Sequence, residues 1–340
     1  MKVSGRVGYA VVGLGHFAEY VVLPGFTDSR KAKLVAVVSG DERKARRLAK
    51  KFGAASVYSY QTYAQCLENP QVEAVYIATN NGSHAEFAVQ AAAAGKHVLC
   101  EKPMATTLAE CRQMLEACAS GKVRLMIAYR KYFEPAAREL RSLIKAGKLG
   151  PLKILHSAFS IYVRPGGNRP AWHFDARQAG GGALPDVGVY CVNTARWVTG
   201  LDPVEAAAYQ WTVDPAAFKE VEEHIAFRLN FPGGLVMQAT ASWGAAKESF
   251  LHVVGDKGWA TLSPAFEYDE ERRLYGRIGG KWFDKKYPVL NELALEIDHL
   301  ADCIRRDREP EPNGAEGLRD VAVMQAIYQA ARQGRPVKIE

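Results

Sequence analysis

Three side chains in this sequence are of the types that move protons to and from an alcohol oxygen. Lys102 lies in Cys100-Glu-Lys-Pro103, where an ammonium group could lower the pKa of a reacting alcohol or donate a hydrogen bond to its oxygen. Asp186 and Tyr190 are four residues apart, so a carboxylate and a phenol share one helix face and can converge on one small polyol. Lys102, Asp186 and Tyr190 are therefore the predicted catalytic residues.

Each of these residues also has a structural interpretation. An isolated Glu-Lys-Pro tripeptide is typical of a surface turn, although its place at the end of a predicted strand favours a chemical role. Asp186 near the first turn of a helix could cap that helix, and Tyr190 could be anchored in the core by its hydroxyl. For this pair the residues alone leave both interpretations open.

A glycine-rich segment near the N-terminus indicates what these groups would work with. The run Tyr9-Ala-Val-Val-Gly13-Leu-Gly15-His-Phe-Ala18 opens from an apolar strand onto G-x-G-x-x-A, which is typical of a dinucleotide-binding βαβ unit. Gly13 permits the tight turn, Gly15 leaves room for a pyrophosphate, and Ala18 lets the next helix approach the sheet. A turn with no ligand would also use glycines, but a second apolar strand ending about twenty residues later favours a nucleotide site.

The residues after that second strand bear on the choice of dinucleotide. An NAD site typically presents a carboxylate there, whereas this strand ends on Ser39, followed by Arg43 and Lys44. A hydroxyl and two cations suit a 2′-phosphate, which a carboxylate would repel. Asp41 keeps NAD as an alternative, and NADP is the predicted cofactor.

The elements that position these residues fall into two patterns. Buried runs alternate with helical segments from residue 1 to about 130, which predicts a doubly wound parallel Rossmann sheet with ligands at the carboxyl ends of its strands. The predicted strands and helices are Val7–Val12, Ala18–Phe26, Leu34–Val38, Asp41–Phe52, Ala74–Ala78, Ser83–Ala94, His97–Cys100, Leu108–Ser120 and Arg124–Ala128.

From residue 131 to 340 the sequence predicts an α+β domain for substrate binding and oligomerisation, with a C-terminal helix able to pack back on the first domain. Longer runs with partial alternation predict a large, open, mostly antiparallel sheet. Its predicted strands and helices are Leu152–Val163, Pro185–Thr199, Val204–Val213, His224–Phe231, Leu235–Trp243, Ser249–Val254, Trp259–Leu262, Glu292–Arg306 and Gly314–Gln333.

Composition excludes several classes of function. The 340 residues are 48% hydrophobic and 24% charged, which is enough for a full core in two domains. The formal net charge is +7, but the basic residues form no stripe interleaved with aromatic residues, as is typical of a nucleic-acid-binding groove. The basic cluster at 43–51 is either a solvated helix face or an attraction for an acidic cofactor. No metal-ligand spacing is present. The absence of a signal peptide and of a long apolar run predicts no membrane association and a cytoplasmic protein, or a periplasmic one if a leader was removed.

Several motifs together resemble one family of oxidoreductases. The matching segments are Gly13-Leu-Gly15, Val38-Ser-Gly40 with Lys44, Ala74-Val-Tyr-Ile77, His84-Ala-Glu-Phe87, Ala94-Gly-Lys-His-Val98, Glu101-Lys-Pro-Met-Ala-Thr106, Ala179-Gly-Gly-Gly182, Asp186-Val-Gly-Val-Tyr190 and Gln325-Ala-Ile-Tyr-Gln-Ala-Ala-Arg332. They resemble the glucose-fructose oxidoreductase, inositol dehydrogenase and rhizopine-catabolism (Gfo/Idh/MocA) family, most closely its NADP-dependent glucose-fructose oxidoreductase branch. The resemblance covers nearly the whole chain.

This resemblance implies a role for each site residue. Lys102 and Tyr190 would lie beside the nicotinamide, Asp186 would bind the sugar, and Ser39 with Lys44 would bind the 2′-phosphate. Tyr129 and Arg130 would lie at the cofactor end of the cleft. Trp172 would stack on a sugar, unless it is a core tryptophan, and His173 stands where that branch tends to place an arginine.

The predicted cofactor-binding residues are Gly13, Leu14, Gly15, His16, Phe17, Ser39, Gly40, Lys44, Tyr60, Thr79, Asn80, His84, Glu101, Lys102, Arg130 and Trp172. The predicted substrate-binding residues are Lys102, Tyr129, Trp172, His173, Asp186 and Tyr190.

The predicted function is hydride transfer between C1 of a glucose-like aldose and NADP, giving a lactone, and a second sugar could be reduced in turn. The alternatives are another polyol enzyme of the family, such as a xylose or inositol dehydrogenase or an anhydrofructose reductase, and a non-catalytic NADP-binding sensor. The open sheet predicts a homodimer or homotetramer.

Overall fold

A computed structural model describes residues 5–164, 167 and 169–339 of the chain. The chain divides into two compact units: residues 1–130 with 291–318, and residues 131–290 with 319–340. The long helix at 314–333 therefore begins in the first unit and continues in the second.

The first unit contains a six-stranded sheet in which every pairing is parallel, in the order β3-β2-β1-β4-β5-β6. Its central strands are apolar and buried on both faces, because helices follow each of them along the chain. This confirms the predicted doubly wound parallel sheet. The strands are β1 (Val7–Val12), β2 (Ala32–Val38), β3 (Ser56–Tyr58), β4 (Ala74–Ile77), β5 (His97–Cys100) and β6 (Leu125–Ile127).

The second unit contains a nine-stranded sheet, in the order β14-β13-β12-β11-β7-β10-β9-β8-β15. All its pairings are antiparallel except that of β7 with β10. This confirms the predicted large, mostly antiparallel sheet. The strands are β7 (Leu152–Tyr162), β8 (Glu205–Trp211), β9 (His224–Asn230), β10 (Val236–Ser242), β11 (Gly244–Gly255), β12 (Gly258–Ser263), β13 (Arg272–Ile278), β14 (Lys281–Tyr287) and β15 (Val337–Lys338).

The helices differ from the predicted ones in number and at two of their starts. Segments predicted as single helices begin with a π-helical turn, at Ala18–Val22 before α1 and at Leu184–Gly188 before α8. The helices are α1 (Leu23–Asp28), α2 (Glu42–Phe52), α3 (Tyr63–Glu68), α4 (His84–Ala93), α5 (Leu108–Ser120), α6 (Pro135–Lys145), α7 (Ala176–Ala179), α8 (Val189–Thr199), α9 (Glu292–Arg306) and α10 (Gly314–Gln333).

The sequence pattern did not predict β3, α3, α6, α7, β13, β14 or β15. The β13–β14 hairpin was missed because six of its fourteen strand residues are arginine or lysine, which leaves no regular apolar alternation. The short elements β3 and α3 have too few residues to show a period.

Helix α9 belongs to the first unit although it follows the second sheet in sequence. The Tyr9 hydroxyl of β1 donates to the Ile297 carbonyl across 3.4 Å, and the Ser29 hydroxyl donates to Asp298 across 2.5 Å. Within residues 5–164, 167 and 169–339, no helix has the length and apolar character needed to cross a bilayer.

Candidate active site

The turn after β1 has the geometry of a dinucleotide cradle. Gly13 has φ +91°, and a Cβ there would lie 2.6 Å from the Ala78 carbonyl oxygen, so only glycine fits. Gly15 is exposed, and a Cβ there would meet nothing within 4 Å, which leaves the space a pyrophosphate needs. The Glu19 amide donates to the Gly15 carbonyl across 3.0 Å and starts the helical segment. These residues fit the cofactor that the sequence predicts.

At the end of β2, Ser39 and Gly40 form the approach to α2. The Ser39 hydroxyl accepts the Asp41 N–H across 3.1 Å, and a Cβ on Gly40 would lie 3.3 Å from the Tyr60 ring. The Asp41 carboxylate accepts the Lys44 N–H across 2.9 Å and so caps α2. The acid that kept NAD as an alternative is thus engaged in capping the helix.

The loops after β4 and β5 are joined by the side chain of a buried histidine. The Ser83 hydroxyl donates to the Thr79 hydroxyl across 2.9 Å and lies 3.0 Å from the Asn80 carbonyl. His84 is fully buried, and its Nδ1 donates to the Pro103 carbonyl across 3.0 Å. Burial lowers the pKa of His84 to about 4, so the ring is neutral at pH 7 and supports the turn that carries Lys102.

Behind Lys102 is a network of buried acids. The Lys102 N–H donates to the Glu101 carboxylate across 3.2 Å, and the Tyr76 hydroxyl donates to the same carboxylate across 2.5 Å. Tyr76 also lies 3.4 Å from Glu296 of α9, which is 0% exposed and whose Oε2 has no hydrogen-bond partner among the described residues. Burial, and then the charge of Glu101, raise the pKa of Glu296 well above its ordinary value, which favours the neutral form of this carboxyl group.

Other predicted cofactor residues of the first unit differ in exposure. His16 is exposed and its ring lies 4.5 Å from that of Tyr20, and Phe17 is half-buried. Leu14 and Arg130 are almost entirely inside the unit, as is Tyr129, which the sequence predicts to bind substrate. The Arg130 guanidinium donates to Glu292 of α9 across 2.5 Å, which balances its buried charge.

In the second unit, Asp186 lies in the π-helical turn before α8, and two side chains from elsewhere in the sequence hold it. Arg169 donates to Oδ2 across 2.8 Å, and the Trp243 indole N–H donates to the same oxygen across 3.0 Å. Trp243 is fully buried, so the carboxylate is fixed against a rigid partner. A carboxylate held in this way can accept hydrogen bonds from the hydroxyls of a polyol.

Tyr190 lies in the first turn of α8 and is 5% exposed. Its hydroxyl is 3.1 Å from the hydroxyl of Tyr268, and its ring packs edge-on against Phe159 and beside Phe266. Two phenols in hydrogen-bond contact can pass a proton between them.

The glycine loop before Asp186 is tied down by a buried acid. Glu222 accepts hydrogen bonds from the Gly182 N–H, the Leu184 N–H and the Tyr328 hydroxyl, each at 2.8 Å. These donors lower the pKa of Glu222, but burial raises it by more, so the net shift is upward. A Cβ on Gly181 would lie 1.9 Å from the Tyr328 hydroxyl, so the loop needs its glycine there.

The predicted sugar-stacking residues lie in an aromatic cluster of the same unit. The Trp172 and His173 rings are stacked with centroids 3.7 Å apart, and His173 meets the buried Trp243 edge-on at 6.3 Å. Trp172 is half-buried, whereas His173 is buried. Trp243, which holds Asp186, therefore also contacts the ring that stacks on Trp172.

The structure thus places Lys102 in the first unit and Asp186, Tyr190, Trp172 and His173 in the second. Sequence reasoning missed the side chains that hold these groups, and most of them come from distant positions without a motif. They are Glu19, Tyr76, Arg169, Glu222, Trp243, Tyr268 and Glu296. In the described parts of the chain, no three His, Cys, Asp or Glu side chains are arranged to hold a metal ion.

Two family models match the chain. Residues 7–129 match a model of the GFO/IDH/MocA oxidoreductase family with an NAD-binding Rossmann fold, and residues 137–261 match a model of the GFO/IDH/MocA C-terminal domain. The matches confirm the resemblance drawn from the motifs.

Three relatives show how far the similarity extends. A D-xylose 1-dehydrogenase [NADP(+)] from Haloarcula marismortui is 29% identical over 98% of this chain and 93% of its own. A trans-1,2-dihydrobenzene-1,2-diol dehydrogenase from Bos taurus is 33% identical over 82% of each chain. The crystal structure of an aldose-aldose oxidoreductase from Caulobacter crescentus, complexed with glycerol, is 37% identical with a TM-score of 0.92, covering 98% of this chain and 99% of that one.

Proposed function

The chain belongs to the GFO/IDH/MocA family of oxidoreductases, and from this premise we propose that it transfers a hydride between C1 of a glucose-like aldose and NADP, giving a lactone. The observation that carries the sugar assignment is the Asp186 carboxylate, held by Trp243 in a unit that also contains the half-buried Trp172, stacked on the buried His173 ring. A fixed acceptor and aromatic faces together suit the hydroxyls and the apolar face of a pyranose. The xylose and aldose-aldose relatives support the same class of substrate.

NADP is the cofactor that both the residues and the relatives support. Asp41 is engaged as the cap of α2, and Ser39 with Lys44 presents a hydroxyl and a cation at the place where the ribose is recognised in this fold. The Haloarcula marismortui relative is an NADP(+) enzyme by name.

A bound nicotinamide supplies the acceptor for the hydride that leaves C1. Tyr190, as the phenolate, takes the proton of the C1 hydroxyl and can share it with Tyr268. Lys102 donates a hydrogen bond to the same oxygen as the C1=O bond forms. Asp186 accepts hydrogen bonds from the remaining hydroxyls and orients the ring.

Substitution of the two proton-handling residues tests these roles. Tyr190→Phe and Lys102→Met should each lower kcat for aldose oxidation by about 10²–10⁴, because general acid–base catalysis contributes about that factor. Tyr209→Phe, which alters a tyrosine 70% exposed on β8, is the control and should keep wild-type turnover. Wild-type turnover in both Tyr190→Phe and Lys102→Met would overturn the assignment.

A substrate panel separates the alternatives. Activity with aldoses and NADP⁺ supports the proposal, and a second aldose that reoxidises the enzyme would match the aldose-aldose relative. Activity only with inositol, or only in reducing an anhydro-ketose, identifies another polyol enzyme of the family. NADPH binding without turnover on any polyol identifies a sensor.

We also propose that the large sheet joins subunits into a homodimer or homotetramer. The strand registers place large side chains on one face, including Ile154 of β7, Tyr209 of β8 and Trp282 of β14, which are 41%, 70% and 58% exposed. Large apolar side chains exposed among polar ones on a sheet face favour association. Ile154→Glu should shift the mass measured by light scattering toward the monomer, and a monomeric wild type would contradict the proposal.

A further inference from the structure

A buried carboxylate lies beside the cations that the first unit offers to a 2′-phosphate. Glu19 follows the glycine turn directly, in the π-helical turn Ala18–Val22, and is 7% exposed. Arg47 of α2 donates to its Oε1 across 2.9 Å, and the Lys44 ammonium lies 3.5 Å from its Oε2. Glu19 therefore takes up two of the cations of α2.

The carboxylate is charged where it stands. Burial alone would raise the pKa of Glu19, but the hydrogen bond from Arg47 and the charges of Arg47 and Lys44 outweigh burial and hold the pKa below its ordinary value. Lys44 is 28% exposed and Glu19 only 9% at the side chain, so a ligand approaching from solvent meets Lys44 with the negative charge of Glu19 behind it.

We propose that Glu19 sets the preference between NADP and NAD by competing with the 2′-phosphate for Lys44. The inference rests on the NADP-binding function proposed above. A phosphate on Lys44 would stand about 6 Å from the Glu19 charge, and two like charges at that separation in a partly hydrated site weaken binding about tenfold. NAD has a hydroxyl at this position, so its binding does not include that repulsion.

The experiment compares Glu19→Gln with Glu42→Gln. Glu42 is also an acid bonded to an arginine of α2, but the Glu42 and Arg46 side chains are 70% and 72% exposed, so the control makes the same charge change without removing an ion pair of Lys44. NADPH and NADH are titrated into each purified protein and followed by their fluorescence. Glu19→Gln should bind NADPH about tenfold more tightly and NADH within twofold of wild type, whereas Glu42→Gln should leave both within twofold.

Two further measurements make the outcome decisive. The NADPH gain of Glu19→Gln should shrink as salt is added, because screening weakens the repulsion that it removes. Glu19→Asp keeps the charge, and competition predicts NADPH affinity near wild type. If Glu19→Gln does not fold, the NADPH affinity of Glu19→Asp still tests the proposal.

Unchanged or weaker NADPH binding by Glu19→Gln, or a large loss in Glu19→Asp, would overturn competition and make Glu19 a positioning residue for Lys44. A wild type that binds neither NADPH nor NADH would instead overturn the proposed function itself.

Discussion

In the first unit the glycine turn is fixed by main-chain geometry, whereas in the second unit Asp186 and Tyr190 are held by side chains 57 and 78 residues further along the sequence. The first arrangement depends on φ angles and close approaches set within a few residues. The second depends on the sheet that brings Trp243 and Tyr268 to their partners. A substitution in the first unit should therefore alter cofactor binding by shifting the backbone of the turn. A substitution in the second unit should alter sugar binding by removing a hydrogen bond from a residue distant in sequence.

The largest effect should follow from a methyl group in the glycine turn. Gly13→Ala combines φ +91° with a Cβ placed 2.6 Å from a backbone carbonyl, so the turn must shift. We expect NADPH affinity to fall more than about 100-fold and stability to fall by about 3 kcal/mol. Ligand titration and denaturant unfolding measure the two.

Gly95→Ala is its matched control. Gly95 has φ +69° but open space around the Cβ position, so the substitution should cost only the left-handed backbone penalty, about 1–2 kcal/mol, and leave NADPH binding intact. Equal effects of the two substitutions on NADPH affinity would mean that the turn does not act through main-chain geometry.

The next effect tests the distant hydrogen bond of the second unit. Trp243→Phe removes the N–H that donates to Asp186, and we expect the KM for the aldose to rise about tenfold with a smaller change in kcat, since about 1.5–3 kcal/mol is typical for a hydrogen bond to a charged group.

Trp197→Phe separates this loss from the loss of volume. Trp197 is 6% exposed, and its indole N–H has no hydrogen-bond partner among the described residues. Both variants should lose stability through the smaller ring, but Trp197→Phe should keep the wild-type KM. A raised KM in both variants would point to general loosening of the unit.

The smallest expected effect concerns one buried acid in each unit, Glu296 and Glu222. It is measured as the change in the protein's stability with pH when either acid is replaced. Burial raises the pKa of both, but Glu296 has an oxygen without a partner in the described part of the chain, whereas Glu222 receives three hydrogen bonds. When the folded-state pKa lies above the unfolded one, stability is greatest at low pH and falls as pH rises toward the folded-state pKa.

Glu296→Gln removes that titration and keeps the neutral shape, so it should be more stable than wild type by about 1 kcal/mol at pH 8, with the gain vanishing near pH 4. Glu222→Gln should instead lose about 1–3 kcal/mol, because one amide NH₂ must face an N–H or hydroxyl donor. Thermal unfolding at both pH values measures this. If Glu296→Gln and Glu222→Gln both raised or both lowered the stability at pH 8, the proposed difference between the two carboxyl environments would be wrong.

The glycine turn after β1 could be predicted in detail because its information is local. The run up to Gly13 and Gly15 carries the turn within a short segment. Ser39, in place of a carboxylate after β2, is an equally local signal for the ribose site, which stays a prediction. Glu296 left only a faint signal, an acid among Leu293, Ile297 and Leu300 on a helix that is otherwise apolar on that side.

The sugar side could be predicted only in part. The spacing of Asp186 and Tyr190 indicated the pair, but it could not indicate the π-helical turn at Asp186 or its two donors. Those contacts depend on how β10 and its neighbours pair, and that register is set by packing across the whole sheet.

The most direct test of the account is an absorbance and fluorescence scan of the purified protein before and after glucose is added, first alone and then with NADP⁺. We predict that the reduced-nicotinamide band appears on sugar addition, without added NADP⁺ if the cofactor is retained and with it if the cofactor exchanges, and that Tyr190→Phe suppresses the band. No band with any aldose and either nicotinamide cofactor would contradict the account.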